Sequence, residues 1–148
     1  MKVELKNVKF CEWASQETNC FNASIWIDGK RAGKVGNEGH GGCNWYEFKD
    51  RKLEQAFYDY CKNLPPIPVS WGDGFMDMNA DCHIGDLFTE FMRMKDYKRW
   101  CRKQTVFHLK EQPEDEFRVL KIPYGDHAVE WIKRKYGKQV DYILNERI

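Results

Sequence analysis

From Lys2 to Phe10, apolar and charged side chains alternate: Val3 and Leu5 first, then Val8 and Phe10 after a slip of one residue at Asn7. Period two marks a half-buried strand, and the slip predicts a bulge near Asn7. The same period returns in "CFNASIWIDGKRAGKV", where Phe21, Ala23, Ile25 and Ile27 share one face, and Ala32 and Val35 follow Asp28-Gly29. Asp-Gly between alternating segments predicts a tight hairpin, because both residues tolerate positive φ.

The pattern then changes to helical spacing. Leu53, Ala56, Phe57, Tyr60, Cys61 and Leu64 form one stripe, with Asp50 placed to cap it and Pro65-Pro66 to end it. A stretch rich in Pro, Gly, Asp and Asn, from Pro65 to Cys82, lacks periodicity and is expected to be a loop. A second helix is expected from about Ile84 to Arg102, with Ile84, Leu87, Phe88, Phe91, Met94 and Cys101 near one stripe and Asp81 as its cap. "TVFHL" and "FRVLKI" predict two strands joined by the acidic turn "KEQPEDE". After Asp126, the positions Val129, Ile132, Tyr136, Val140, Ile143 and Leu144 predict a helix that breaks near Gly137 and restarts. The expected order is βββ-α-α-ββ-α: an α+β fold with a largely antiparallel sheet packed against about three helices, in a single domain over residues 1–148.

Composition supports a packed core. Apolar residues are 42% and aromatics 15% of the chain, and a domain of this length buries roughly 70% of its unfolded surface, so no covalent staples are required. The six cysteines are therefore expected to be reduced thiols, several of them buried. Lys and Arg number 24 against 23 Asp and Glu, so long-range charge gives no general pull toward nucleic acid or an anionic membrane. No apolar run approaches the roughly eighteen residues of a membrane span, and the alternating N-terminal stretch does not read as a signal peptide. A cytoplasmic protein without membrane association is expected.

The most unusual stretch is "VGNEGHGGCNWYEF", Val35 to Phe48. Gly39, Gly41 and Gly42 permit the positive φ values of an anion-binding backbone nest, with Asn37, His40, Asn44 and Trp45 alongside. One reading gives the loop a nucleotide phosphate, with Arg102 or Lys103 neutralising its charge. The phosphate motifs GxxxxGK[ST] and GxGxxG are both absent, so a plain connection between sheet and helix stands beside that reading, and no cofactor is expected. His40, Cys43, Cys82 and His83 offer zinc-ligand chemistry, but HxxC and CH are not the spacing of a zinc knuckle, and no metal centre is expected. Asp73, Asp77, Asp81 and Asp86 could serve a metal-dependent nuclease or other hydrolase, although turn and capping roles account for Asp73 and Asp81 equally well. The basic segment "RMKDYKRWCRKQ" interleaves cations with Tyr97 and Trp100, as a nucleic-acid surface would, while "EQPEDE" nearby offsets its charge. No nucleophile with a base and an orienting acid stands out, so a catalytic role is the weaker expectation. Trp13, Trp26 and Trp71 are available for a partner or self contact, without a register signal that would set an oligomeric state.

The segments "IWIDGKRAGKVGNEGHGGCNWYEF", "YCKNLPP", "TVFHLKEQPEDEFRVLKIPY" and "ILNERI" resemble a group of small uncharacterised proteins encoded by phages, prophages and related mobile elements. The resemblance covers the first 66 residues and the last 44 or so, leaving Ile67 to Gln104 outside it. It carries over no functional residue. It implies an accessory protein made in a bacterial host cytoplasm, acting by stoichiometric binding to a host protein, such as a defence factor that it inhibits.

Overall fold

A computed structural model describes all residues from Met1 to Ile148. The architecture is α+β, with 36% helix, 30% strand and antiparallel sheets. Two compact units, Met1–Thr89 and Glu90–Ile148, divide within the second helix.

In the first unit, β1 (Val3–Cys11), β2 (Cys20–Ile27), β3 (Lys30–Asn37) and β4 (Trp45–Phe48) form an antiparallel meander in sequence order. The bulge falls at Asn7, whose φ is 53°, and shifts the β1–β2 register between Lys6 and Lys9. Asp28 and Gly29 both take positive φ at the β2–β3 hairpin, as the turn chemistry requires. The inner face carries buried Val3, Phe21, Ala23, Ile25, Ile27 and Val35. Helix α1 (Arg51–Lys62) brings fully buried Phe57 against Tyr46 and Phe48, with ring centroids at 6.1 and 5.4 Å. Burying one such phenylalanine contributes about 1.5–3 kcal/mol. The Asp50 carboxylate accepts from the Lys52 amide, so α1 begins at the expected cap.

Three expectations in this unit need correction. Residues 45–48 form a fourth strand, not part of a flexible crossing, because Trp45 and Tyr46 pair with Gly36 and Val35 on a β3 edge that would otherwise be open. The loop after α1 contains a two-stranded ribbon, β5 (Ile67–Pro68) with β6 (Phe75–Met76). Helix α2 (Ala80–Cys101) starts earlier than its apolar stripe indicates: Asn79, not Asp81, supplies the capping oxygen, accepting from the Cys82 amide. Asp81, inside the first turn, bonds Tyr46 and Asn44 instead.

The second unit is built on β7 (Thr105–Leu109), buried along its whole length between β8 (Arg118–Leu120) and β9 (Val140–Ile143). Helix α3 (Asp126–Tyr136) sets Ile132 against Phe107, Leu109 and Ile143. The expected helical restart after Gly137 is absent. Gly137 turns the chain at φ 54°, and Val140–Ile143 pairs with β7 in a strand whose apolar spacing mimics a helix. Asn145 ties the unit together, accepting from the Val106 amide and donating to the Cys101 and Gln104 carbonyls. The cysteines are all free thiols, but Cys61 alone is buried, Cys43 is exposed and the other four are half-buried.

His108, with its side chain 5% exposed, lies 2.9 Å from an Asp141 carboxylate oxygen through Nδ1 and 3.0 Å from the Pro113 carbonyl through Nε2. Both partners are acceptors, so only the imidazolium can donate to each. Burial opposes protonation, but the bonds to Pro113 and Asp141, with the Asp141 charge, outweigh it and raise the pKa. A raised folded pKa contributes stability that is complete below the unfolded value of about 6.5 and is lost as pH rises through the folded value. The expected result is lower stability in denaturant titrations on going from about pH 6 to pH 9, with His108→Gln losing most of that slope. An unchanged slope in the variant would refute the doubly bonded imidazolium.

Candidate functional site

The glycine loop is organised by one buried side chain, Asn37, at the end of β3. Its Oδ1 accepts from the Gly39 amide (2.9 Å), closing an Asx turn, and from the Thr18 hydroxyl (2.6 Å). Its Nδ2 donates to the Gly42 carbonyl (3.2 Å) and to Asn44 Oδ1 (3.1 Å). The Gly41 amide donates to Thr18 Oγ1, and the Gly39 carbonyl accepts from the Gln16 and Glu17 amides at 3.0 Å. Gly39, Gly41 and Gly42 all have φ between 86° and 87°, so the positive-φ expectation is met. Their hydrogen bonds serve the loop's own bracing. Two of the amides that would face a phosphate are turned inward, and the Glu17 carboxylate lies beside Gly41, where it would repel an anion. His40 is exposed, with Nδ1 3.4 Å from Gln16 Oε1.

Beyond the loop, the chain passes through exposed Cys43 to Asn44, whose amide donates to Asp81 Oδ2 at 3.2 Å. The Tyr46 hydroxyl donates to Asp81 Oδ1 at 2.5 Å. Burial and this bond to Asp81 push the Tyr46 phenol well above its ordinary range. Tyr58, on α1, is pushed up to about 12 by burial and its bond to Glu54. These groups, with Cys43, Gln55 and Lys62, line a recess of about 510 Å³. The hydrogen bonds thus run from Thr18 through Asn37 and Asn44 to Asp81 and Tyr46, bracing the loop against α2.

On the opposite side of the sheet from the core, the register aligns outward-facing residues in rows. Lys9, Asn22, Gly36 and Trp45 form one row across all four strands, and Lys6, Ser24, Lys34 and Glu47 form the next. Trp45 lies over Gly36: a Cβ there would come within 2.4 Å of the indole, so only glycine lets the ring rest on the sheet. Trp45 remains 41% exposed. Lys9, Asn22 and Trp45 border two adjoining grooves of about 410 and 330 Å³. With Glu4 and Arg31 flanking Trp26 and Glu38 lining the second groove, the face holds four cations and three carboxylates. Lys6 sits 4.0 Å from the centre of the Trp26 ring, so Trp26 is half-covered and is not a free contact residue.

The remaining sequence candidates are dispersed. His83 packs edge-on to Tyr60, and burial lowers its pKa against the opposing charge of Asp86. Nowhere do three or more His, Cys, Asp or Glu side chains gather in a way that could hold a metal ion, so neither the His40, Cys43, Cys82 and His83 set nor the aspartates from Asp73 to Asp86 assemble. Arg102 and Lys103 belong to the second unit, where Arg102 borders a shallow groove with Lys98, Tyr124 and Asn145. In the basic segment, Tyr97 and Trp100 pack on Phe117 at 5.3 and 6.3 Å, Arg93 pairs with Glu90, and Arg99 pairs with Asp96. Its aromatics are thus occupied within the fold. No helix is long and apolar enough to cross a membrane.

The residues that sequence reasoning missed are Lys9, Asn22 and Lys34 on the outer face and Thr18 in the brace, where Asp81 was read only as a cap or a metal ligand. Strand alternation already placed the first three opposite the apolar positions, and that polar face was the available signal. Comparison with protein-family models, with curated proteins and with solved structures found no match for this chain.

Proposed function

We propose that this protein acts by stoichiometric binding to another protein, through the outer face of the β1–β4 sheet. The observation that carries this reading is Trp45, a large aromatic held open on a bed of Gly36 at the junction of two grooves and ringed by Lys9, Lys34, Asn22, Glu38 and Glu47. Rigid aromatic anchors within a polar rim dominate the energetics of protein interfaces. Lys9 and Lys34 alternate with Glu38 and Glu47 around the ring, so the rim carries both signs of charge and favours a partner surface whose own charges complement them around an apolar recess. In the setting that the resemblance implies, the partner is a protein of a bacterial host, and occupying it would inhibit a defence factor. The nucleotide reading draws less support, because the Gly39 and Gly41 amides are committed to Asn37 and Thr18. The hydrolase reading lacks assembled carboxylates.

Affinity capture from bacterial host extract, quantified for wild type, Trp45→Ala and Lys34→Glu, tests the proposal. A specific partner retained by wild type and reduced at least tenfold by Trp45→Ala is expected, since losing an interface anchor costs about 2 kcal/mol or more. Equal recovery by all three folded proteins would remove the sheet face from consideration.

A further inference from the structure

The same outer face carries a chemical feature at its upper end. Cys11, the last residue of β1, and Cys20, the first of β2, are direct cross-strand partners. Their neighbours Phe10 and Phe21 face the core, where both rings meet Phe88, so the two thiols share the outer face and border one groove. Directly opposed residues in antiparallel strands have Cα atoms about 4.5–5.5 Å apart, within the roughly 4.4–6.8 Å span of disulfides. A second contact holds the pair together: the Ser15 hydroxyl donates to the Cys11 carbonyl and accepts from the Cys20 amide, each at 2.8 Å. The intervening chain, Glu12–Asn19, carries Trp13, which is 88% exposed, and supplies the amides that hold the Gly39 carbonyl.

We propose that Cys11 and Cys20 form a reversible dithiol–disulfide pair that exchanges with low-molecular-weight disulfides of the glutathione type. This stands independently of the binding reading. One cysteine thiolate attacks a sulfur of the disulfide, breaking its S–S bond, forming a mixed disulfide and releasing one thiolate. The second cysteine thiolate then attacks the protein-side sulfur, closing the Cys11–Cys20 bond and expelling the second thiolate. The protein dithiol loses two electrons and two protons, and the small disulfide is reduced to two thiols. Both cysteines are half-buried and border the groove, so the closed bond stays accessible to attack by reduced glutathione, as a labile pair in a reducing compartment must be.

The full-length reduced protein, equilibrated with reduced and oxidised glutathione at graded ratios, quenched by alkylation and peptide-mapped by mass spectrometry, tests this. The expected result is a species lighter by two hydrogens whose cross-linked peptide joins Cys11 to Cys20, reverting to two alkylated thiols in excess reduced glutathione. Cys11→Ser should instead hold Cys20 as the glutathione mixed disulfide. Failure of the Cys11–Cys20 cross-link to form at ratios where other cysteines carry glutathione, or its persistence in excess reduced glutathione, would overturn the proposal.

Discussion

Gly39→Ala is expected to destabilise the protein by about 3–5 kcal/mol, the sum of left-handed backbone strain and overpacking. At φ 86°, an added Cβ would sit 2.1 Å from the Ala14 carbonyl oxygen, a backbone atom that cannot rotate away. That carbonyl belongs to the turn whose Gln16 and Glu17 amides bind the Gly39 carbonyl, so relieving the clash breaks those bonds as well. Differential scanning calorimetry should find the midpoint lower by roughly 10 °C or more. Gly42→Ala meets nothing within 4 Å and carries only the positive-φ penalty of about 1–2 kcal/mol. Similar losses in both variants would mean that the loop is not seated against Ala14.

Asn37→Asp should cost about 2–4 kcal/mol, even though it replaces a single nitrogen. The carboxylate keeps the acceptor used by Thr18 and Gly39 but turns the donor used by Gly42 and Asn44 into a second acceptor. The Gly42 oxygen belongs to the backbone and cannot become a donor, so a buried anion would face a carbonyl. Its folded pKa would rise above the ordinary aspartate value, so the deficit should shrink as pH falls through that value, when the acid can donate again. Chemical denaturation of variant and wild type across the acidic range measures this. A deficit that is small or independent of pH would contradict the role of Asn37 as the centre of the loop.

The strands and helices with strong periodicity were legible in the sequence, as were the Asn7 bulge, the Asp28-Gly29 turn and the Asp50 cap. Strand β4 was not, because its four residues show too little alternation and owe their state to pairing with β3. Strand β9 was misread because Tyr136, Val140, Ile143 and Leu144 fit helical spacing until Gly137 turns the chain. At the site, the three glycines of the loop fit two roles. Glycine tolerates positive φ equally whether its amide faces a phosphate or a neighbouring Asn37, and only the position of Thr18, nineteen residues away, separates them. Trp45 was among the candidates, but its support by Gly36 depends on a register that composition does not reveal.

In the proposed binding mode, the glycine loop braces the fold while Trp45 makes the contact. Parallel capture of a host partner by His40→Ala and Trp45→Ala, each confirmed folded by its melting curve, tests it most directly. His40 is exposed and makes only a 3.4 Å contact with Gln16, so His40→Ala should recover the partner as wild type does, while Trp45→Ala should lose it. Loss with His40→Ala and retention with Trp45→Ala would contradict the claim and return the binding site to the loop.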